Sequence, residues 1–238
     1  CHENMPFAYD FLGLLRPSII VELGTHFGDS FFTFCQSCKE HNLQAKCYAV
    51  DSWIGDEHAG FYGEDVYQRV VAHNDMFYKG FSNLIKSSFN DALNQFSDNS
   101  ISLLHIDGCH SYEEVKNDFD KWIKKVEEKG VVFIHDIMVR TRDFGVWKFW
   151  EEIKRSYQTF ELTHGNGLGV VFKNQVNKEI EETFLNDPFA PRYYFILGDY
   201  IMLKGKFMKI SEDYQKLVNQ NNTETKVKKR NTIFKFLK

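Results

Sequence analysis

Proline is scarce, with four in 238 residues, and no unbroken apolar run reaches the roughly 18 residues that a membrane-crossing helix requires. The opening Cys1-His2-Glu3-Asn4 lacks the basic and then apolar layout of a secretory signal. Both absences give the expectation of a soluble, cytoplasmic protein. The first residue is Cys rather than Met, so the chain is expected to be a piece of a longer one. Five cysteines, an odd number, supply no disulfide framework, and they also lack the paired spacing of a structural zinc site. Cys35-Gln36-Ser37-Cys38 has redox-pair spacing, but it falls in an apolar helical pattern over residues 31–38, where cysteine packs as a small hydrophobe. What the chain does have is 43% hydrophobic residues, including 23 Phe, enough for a large core and incompatible with global disorder.

Positive charge is short in the body. The whole chain carries 29 basic and 33 acidic residues, a net −4. Six of the basic residues lie in the last thirteen positions, which contain no acid, leaving 23 against 33, or −10, elsewhere. An acidic body argues against nucleic-acid binding. For the tail, Lys228-Lys229-Arg230 with Phe234 and Phe236, two readings stay open: peripheral contact with an anionic membrane face or a partner, or a solvated terminus.

Short apolar runs at residues 19–23, 48–50, 84–85, 101–106 and 131–134 alternate with helical periodicities. Runs without polar alternation suit strands covered on both faces, and the alternation implies a parallel sheet with right-handed crossovers. A helix is expected over residues 111–128, with Val115, Phe119, Trp122, Ile123 and Val126 on one face and Gly130 as its stop, and another over 146–157. Residues 160–163 and 168–172 flank His164-Gly165-Asn166-Gly167 as a hairpin. The expected architecture is α/β: a Rossmann-like, doubly wound, mostly parallel sheet ending in an antiparallel hairpin over residues 1–175. Residues 176–238 follow as a mainly helical, charged extension, linker or dimerisation element.

Chemistry gathers at the predicted strand ends. The first strand runs into Glu22-Leu23-Gly24-Thr25-His26-Phe27-Gly28-Asp29-Ser30, where glycines let a ligand approach the backbone. It is neither the G-x-G-x-x-G fingerprint nor a P-loop. Asp51 ends the second strand, placed to accept hydrogen bonds from the two hydroxyls of a ribose, or otherwise to cap a helix. The loop that follows holds Ser52, Trp53, His58 and Tyr62, in which an aromatic ring is available to stack on a base or sugar and His58 to reach a hydroxyl. The fourth strand ends in His105-Ile106-Asp107-Gly108-Cys109-His110-Ser111-Tyr112 and the fifth in His135-Asp136, with Arg140 to Asp143 where an acceptor would enter. Carboxylates with imidazoles at neighbouring strand ends suit either a hard divalent cation or acid/base chemistry, whereas Ser111 with Glu114 reads as a helix capping box.

Taken together these motifs resemble the class I S-adenosylmethionine-dependent methyltransferases. More narrowly they resemble a family with a strand-end His-Ile-Asp-Gly-x-His-x-Tyr and a later His-Asp, found with glycosyltransferases in bacterial surface-polysaccharide assembly. The likeness covers residues 5–172 and rests on Met5-Pro6-Phe7-Ala8, the turn 22–28, the loop 51–63, the segment 107–112 and His135-Asp136. It implies S-adenosylmethionine as cofactor, held by Glu22, Gly24, Thr25, His26, Gly28, Ser30, Asp51, Ser52, Trp53, Ser88 and Asp107, with Ser87-Ser88-Phe89 at the adenine. His26 stands where a glycine is usual. The resemblance further implies Mg²⁺ or Mn²⁺ on Asp107, His135 and Asp136, with His135 replacing a carboxylate or amide ligand. Asp107, His110 and His58 are then the catalytic candidates, one histidine taking the proton of a sugar hydroxyl on a surface glycan or its precursor. A glycosyltransferase module in the same chain or complex, and a second copy of the chain, are the implied protein partners. Three other readings remain open: a small-molecule O-methyltransferase, an NAD-linked oxidoreductase, which the missing fingerprint disfavours, and an inactive nucleoside-binding scaffold.

Overall fold

A computed structural model describes residues 2–56, 60–141 and 143–236, with side chains up to residue 218 except that of Asp56. His58 and Arg142 lie outside the described residues, as do the side chains of the basic tail. The chain divides into two compact units, residues 1–198 and 199–238.

Among the described residues the first unit holds nine strands and, apart from short 3-10 and π turns, seven α-helices and the start of an eighth. The strands are β1 (Ile19–Leu23), β2 (Lys46–Asp51), β3 (Gly55–Asp56), β4 (Gly60–Phe61), β5 (Ser82–Lys86), β6 (Ile101–Ile106), β7 (Val126–His135), β8 (Gln158–Leu162) and β9 (Leu168–Phe172). The helices are α1 (Met5–Leu15), α2 (Asp29–Glu40), α3 (Glu64–Phe77), α4 (Phe89–Ala92), α5 (Tyr112–Trp122), α6 (Val146–Ile153), α7 (Lys178–Ile180) and α8 (Ala190–Phe236), the last beginning in this unit. Seven strands form one sheet in the order β5-β2-β1-β6-β7-β9-β8, with β3 and β4 a separate small ribbon. The five strands from β5 to β7 are parallel, and β9 and β8 join antiparallel, as the hairpin pattern required. The architecture is therefore the expected Rossmann-like α/β sheet, and the helical region beyond it is present.

Two apolar layers sandwich this sheet. On one side Phe7 and Phe11 of α1 meet Phe133, Phe184 and Tyr194, with Phe7 edge-on to the last two at 5.1 and 5.3 Å between centroids. On the other side Phe119 and Trp122 of α5 and Phe149 and Trp150 of α6 cover β6 and β7. The buried thiols of Cys35, Cys38 and Cys47 pack in the first layer, and burial together with their mutual hydrogen bonds pushes Cys38 and Cys47 well above the ordinary thiol range. Such thiols stay protonated and inert.

The helix expected over residues 111–128 ends earlier, at Trp122. Lys125 N–H closes a turn onto the Trp122 carbonyl, and Val126 then pairs with Ile101 as the start of β7. The register jumps from Ile101↔Val126 to Leu103↔Val131, so residues 127–130 bulge out between the two pairings. Val126 satisfies either periodicity, and its strand partner decides. The helix from residue 146 likewise stops at Ile153 rather than 157. Residues beyond the change of rhythm near 175 still feed the first unit's core, through buried Ile180, Phe184 and Tyr194, whose hydroxyl donates to Asp10 at 3.0 Å. Among the described residues, no helix is long and apolar enough to cross a membrane.

Candidate active site

Chain order reverses between β1 and β6, and the crevice beyond their carboxyl ends is where open parallel sheets take ligands. Gly24, His26 and Gly28 in the turn after β1 all have positive φ, 87°, 50° and 86°. A Cβ on Gly24 would stand 2.2 Å from the Asp107 carbonyl oxygen, so glycine is what lets the two strand ends close on each other. His26 holds a conformation that costs an L-residue of order 1 kcal/mol. The backbone φ explains why glycine would serve there equally well.

Asp51, 5% exposed, organises this turn. Its Oδ2 accepts from the N–H groups of Thr25 and His26 at 2.8 and 2.9 Å and from the Tyr62 hydroxyl at 3.3 Å, while Oδ1 accepts from Trp53 N–H at 2.7 Å. Trp53 is buried, donates its ring N–H to the His26 carbonyl at 3.0 Å and packs on Tyr67. It holds the loop, and its face is closed to a stacking base. Tyr62, whose ring lies 4.4 Å from that of His26, is the aromatic residue of this loop that lines the cleft among the described residues.

That cleft measures about 230 Å³ and is lined by Gly24, His26, Asp51, Ser52, Gly55, Tyr62, Ser87, Ser88, Phe89 and residues 107–110. Ser88 caps α4, accepting from Asp91 N–H, and so stands at its rim by local helix geometry. Of the residues expected around a cofactor, Glu22, Thr25, Gly28, Ser30 and Trp53 do not line it. Glu22 is fully buried beneath the turn, where its Oε1 accepts from the Ser30 hydroxyl at 2.5 Å and faces His105 Nδ1 at 3.0 Å. Strand register places Glu22 directly beside His105. Sequence reading left His105 without a partner, because the signal is a pairing across strands rather than along the chain.

At the far wall Asp107 and His110, with the buried Asp136 behind them, bring one ligand atom each within 4.8 Å of one another. His110 Nε2 lies 2.8 Å from Asp136 Oδ2, and its ring stacks on Phe144 at 4.6 Å. Gly145 N–H donates to the His110 carbonyl at 2.7 Å, so the start of α6 fixes the loop. Asp136 sits at φ 64°, which turns its carboxylate away from the strand direction and toward His110. His135, expected as a cation ligand, is not in that group but buried directly beside it, with Nδ1 3.1 Å from both Asp107 Oδ1 and Asp136 Oδ1 and its ring toward His105. Burial opposes its charge, but the Asp107 and Asp136 carboxylates win and push it up to about 9. Burial likewise raises both carboxyls, and is outweighed: His135 holds Asp107 below the usual range, and hydrogen bonds from His110 and His135 do the same for Asp136. The donor set that fits a divalent cation is thus two carboxylate oxygens with the His110 imidazole, and His135 is their counter-charge.

Arg140, in the expected acceptor entrance, lies over the Trp147 ring at 4.6 Å. The sequence also passed over Gly55 and Cys109 as cleft-lining residues, since nothing local distinguishes them.

Comparison with known proteins agrees with this geometry. A family described as a methyltransferase domain matches residues 21–137. An uncharacterized protein of Sinorhizobium fredii is 46% identical over 177 residues, 74% of this chain, although the chain spans only 19% of that relative's length. The fold is shared with a methyltransferase of Podospora anserina solved with SAH bound, at TM-score 0.56 and 10% identity over 72% of this chain and 78% of that one. It is shared too with the O-methyltransferase TomG of Streptomyces achromogenes in complex with SAM, at TM-score 0.55 and 11% identity over 72% and 80%. Over residues 21–137, then, the chain is similar to the methyltransferase-domain family, and it shares the fold of those two cofactor-bound structures.

Proposed function

We propose that the chain transfers a methyl group from S-adenosylmethionine to a hydroxyl oxygen, and that the hydroxyl belongs to a sugar of a bacterial surface glycan or its precursor. The carrying observation is one cleft with two kinds of wall: Gly24, Asp51, Ser88 and Phe89 suited to a nucleoside, and Asp107 and His110, backed by Asp136, suited to a hydroxyl. When bound, S-adenosylmethionine supplies a sulfonium methyl that the acceptor oxygen takes in line with the departing sulfur, so that the C–O bond forms as the C–S bond breaks. His110 takes the hydroxyl proton, and Asp136 at 2.8 Å stabilises the resulting imidazolium. A divalent cation held by Asp107, His110 and Asp136 would supply instead a Lewis acid that lowers the hydroxyl pKa. The sugar acceptor rests on the sequence resemblance of residues 107–112 and 135–136. A glycosyltransferase working beside this domain would provide that sugar.

Calorimetric titration with S-adenosylmethionine and S-adenosylhomocysteine, repeated with Mg²⁺, Mn²⁺ and a chelator, tests the reading. Binding in the micromolar range is expected. Loss of sugar methylation on chelation would assign His110 to the cation, and undiminished methylation would assign it to the proton. No binding under any condition would replace the enzyme with a scaffold.

A further inference from the structure

The second unit is one helix, the continuation of α8, and six of its apolar side chains fall on a heptad rule, with Ile201, Met202 and Met208 beside it. Tyr200, Leu203, Phe207, Ile210, Tyr214 and Leu217 are spaced alternately by three and four residues, and each is more than half exposed. In the sequence the same rule reaches back to Tyr193 and Ile196, giving four heptads with an aromatic residue at every first position and Ile or Leu at every fourth. A repeat of 3.5 residues is the seam of a left-handed coiled coil, whereas a helix lying on a globular surface drifts to 3.6 and broadens its stripe. Isolated helices gain their stability from a packed apolar face, and this one shows its seam to water.

We infer that this seam pairs with the same seam on a second copy of the chain, in parallel and in register, as a two-stranded coiled coil. Charge favours that occupant and that direction. In the heptad frame Asp199 precedes the seam position Tyr200 and Lys204 follows Leu203, which sets Asp199 of each chain against Lys204 of the other in a parallel pair. An antiparallel pair overlapping all eight seam residues would instead oppose Asp199 to Asp213 and bring Lys204 and Lys206 each against its own copy. Area favours a stable pair as well. Each chain brings four aromatic side chains, worth about 150–250 Å² apiece when fully covered. With the four aliphatic ones, two chains exceed the roughly 1,000 Å² that a specific interface needs. After Leu217 the seam positions become Asn221, Glu224 and Lys228, so the apolar repeat stops within the helix.

Light scattering on the full chain, at micromolar concentration, is expected to give the mass of two chains. Replacing Phe207 and Ile210 together by Lys should halve that mass and leave the thermal unfolding of the first unit in place, whereas Glu212→Lys, opposite the seam, should keep two chains. Leu203→Cys should give an oxidised cross-linked pair that the unsubstituted chain does not, because like positions face each other only in a parallel seam. A monomeric full chain, a mass of three or more chains, a Phe207/Ile210 variant of unchanged mass, or a dimer that Leu203→Cys does not cross-link would each overturn the inference.

Discussion

Of the six described non-glycine residues with positive φ, Arg16, Asn42 and Asn99 lie away from the site, whereas His26 lines the cleft and Trp53 and Asp136 hold residues that do. Strain gathered this way marks a place where geometry outranks local comfort. Gly24 is the sharpest case. Gly24→Ala must part the ends of β1 and β6, because its Cβ would meet the Asp107 carbonyl at 2.2 Å. Cofactor binding measured by calorimetry should weaken at least about tenfold, or 1.4 kcal/mol, and the melting temperature should fall. Asp107→Ala should retain the fold, seen by circular dichroism, while methyl transfer drops by about 10²–10⁴-fold; an unchanged rate would remove Asp107 from the chemistry. Strand-end carboxylates such as Asp51, Asp107 and Asp136 were legible in the sequence because each follows an apolar run. The different fates of His110 and His135 were not. One belongs to a loop aimed at the cleft and the other to a strand end turned into the protein, and that depends on the pleat rather than on neighbours in the chain.

Elements were read well where one period dominates and poorly where two coincide. β6, six buried residues without polar alternation on either face, announces itself. The end of α5 does not, since Val126 fits a helical face and a strand alike, and only its pairing with Ile101 separates them. On α5 itself Asp118 is 7% exposed, and burial pushes it up to about 6 from 3.8. A raised folded-state value favours the neutral acid, so its contribution to stability is whole below pH 3.8 and is lost as pH rises through 6. Asp118→Asn should therefore stabilise the protein by up to about 2–3 kcal/mol above pH 6 and not at all near pH 3.8, as denaturant melts at the two pH values would show. The seven-residue spacing after residue 199 was written in the sequence as well, but interleaved charges at the flanking positions hide it until the helix is drawn.

For the molecule as a whole, the position of the first unit's end has a direct test. A chain cut after residue 198 should melt like the first unit of the intact protein and should keep cofactor binding. A chain cut after residue 175 loses Ile180, Phe184 and Tyr194 from the core. At about 2–5 kcal/mol for each large buried side chain removed, it should not fold stably, which circular dichroism would report. The mostly parallel sheet, its closing hairpin and the strand-end crevice could be anticipated from the sequence, but not this closure, because nothing local tells a reader that a helix after the hairpin returns to the first helix of the chain. Phe7 and Asp10 in α1 find Phe184 and Tyr194 only across most of the unit's length, Tyr194 standing 184 positions after Asp10. On the ribosome, where the amino-terminal part emerges first, α1 must wait through nearly the entire synthesis of the unit before the cover over its aromatic face is complete. A nascent chain stalled short of Phe184 would already hold Phe7 and Phe11 against Phe133, Phe160 and Phe172, and would leave open only the part of their faces that Phe184 and Tyr194 cover.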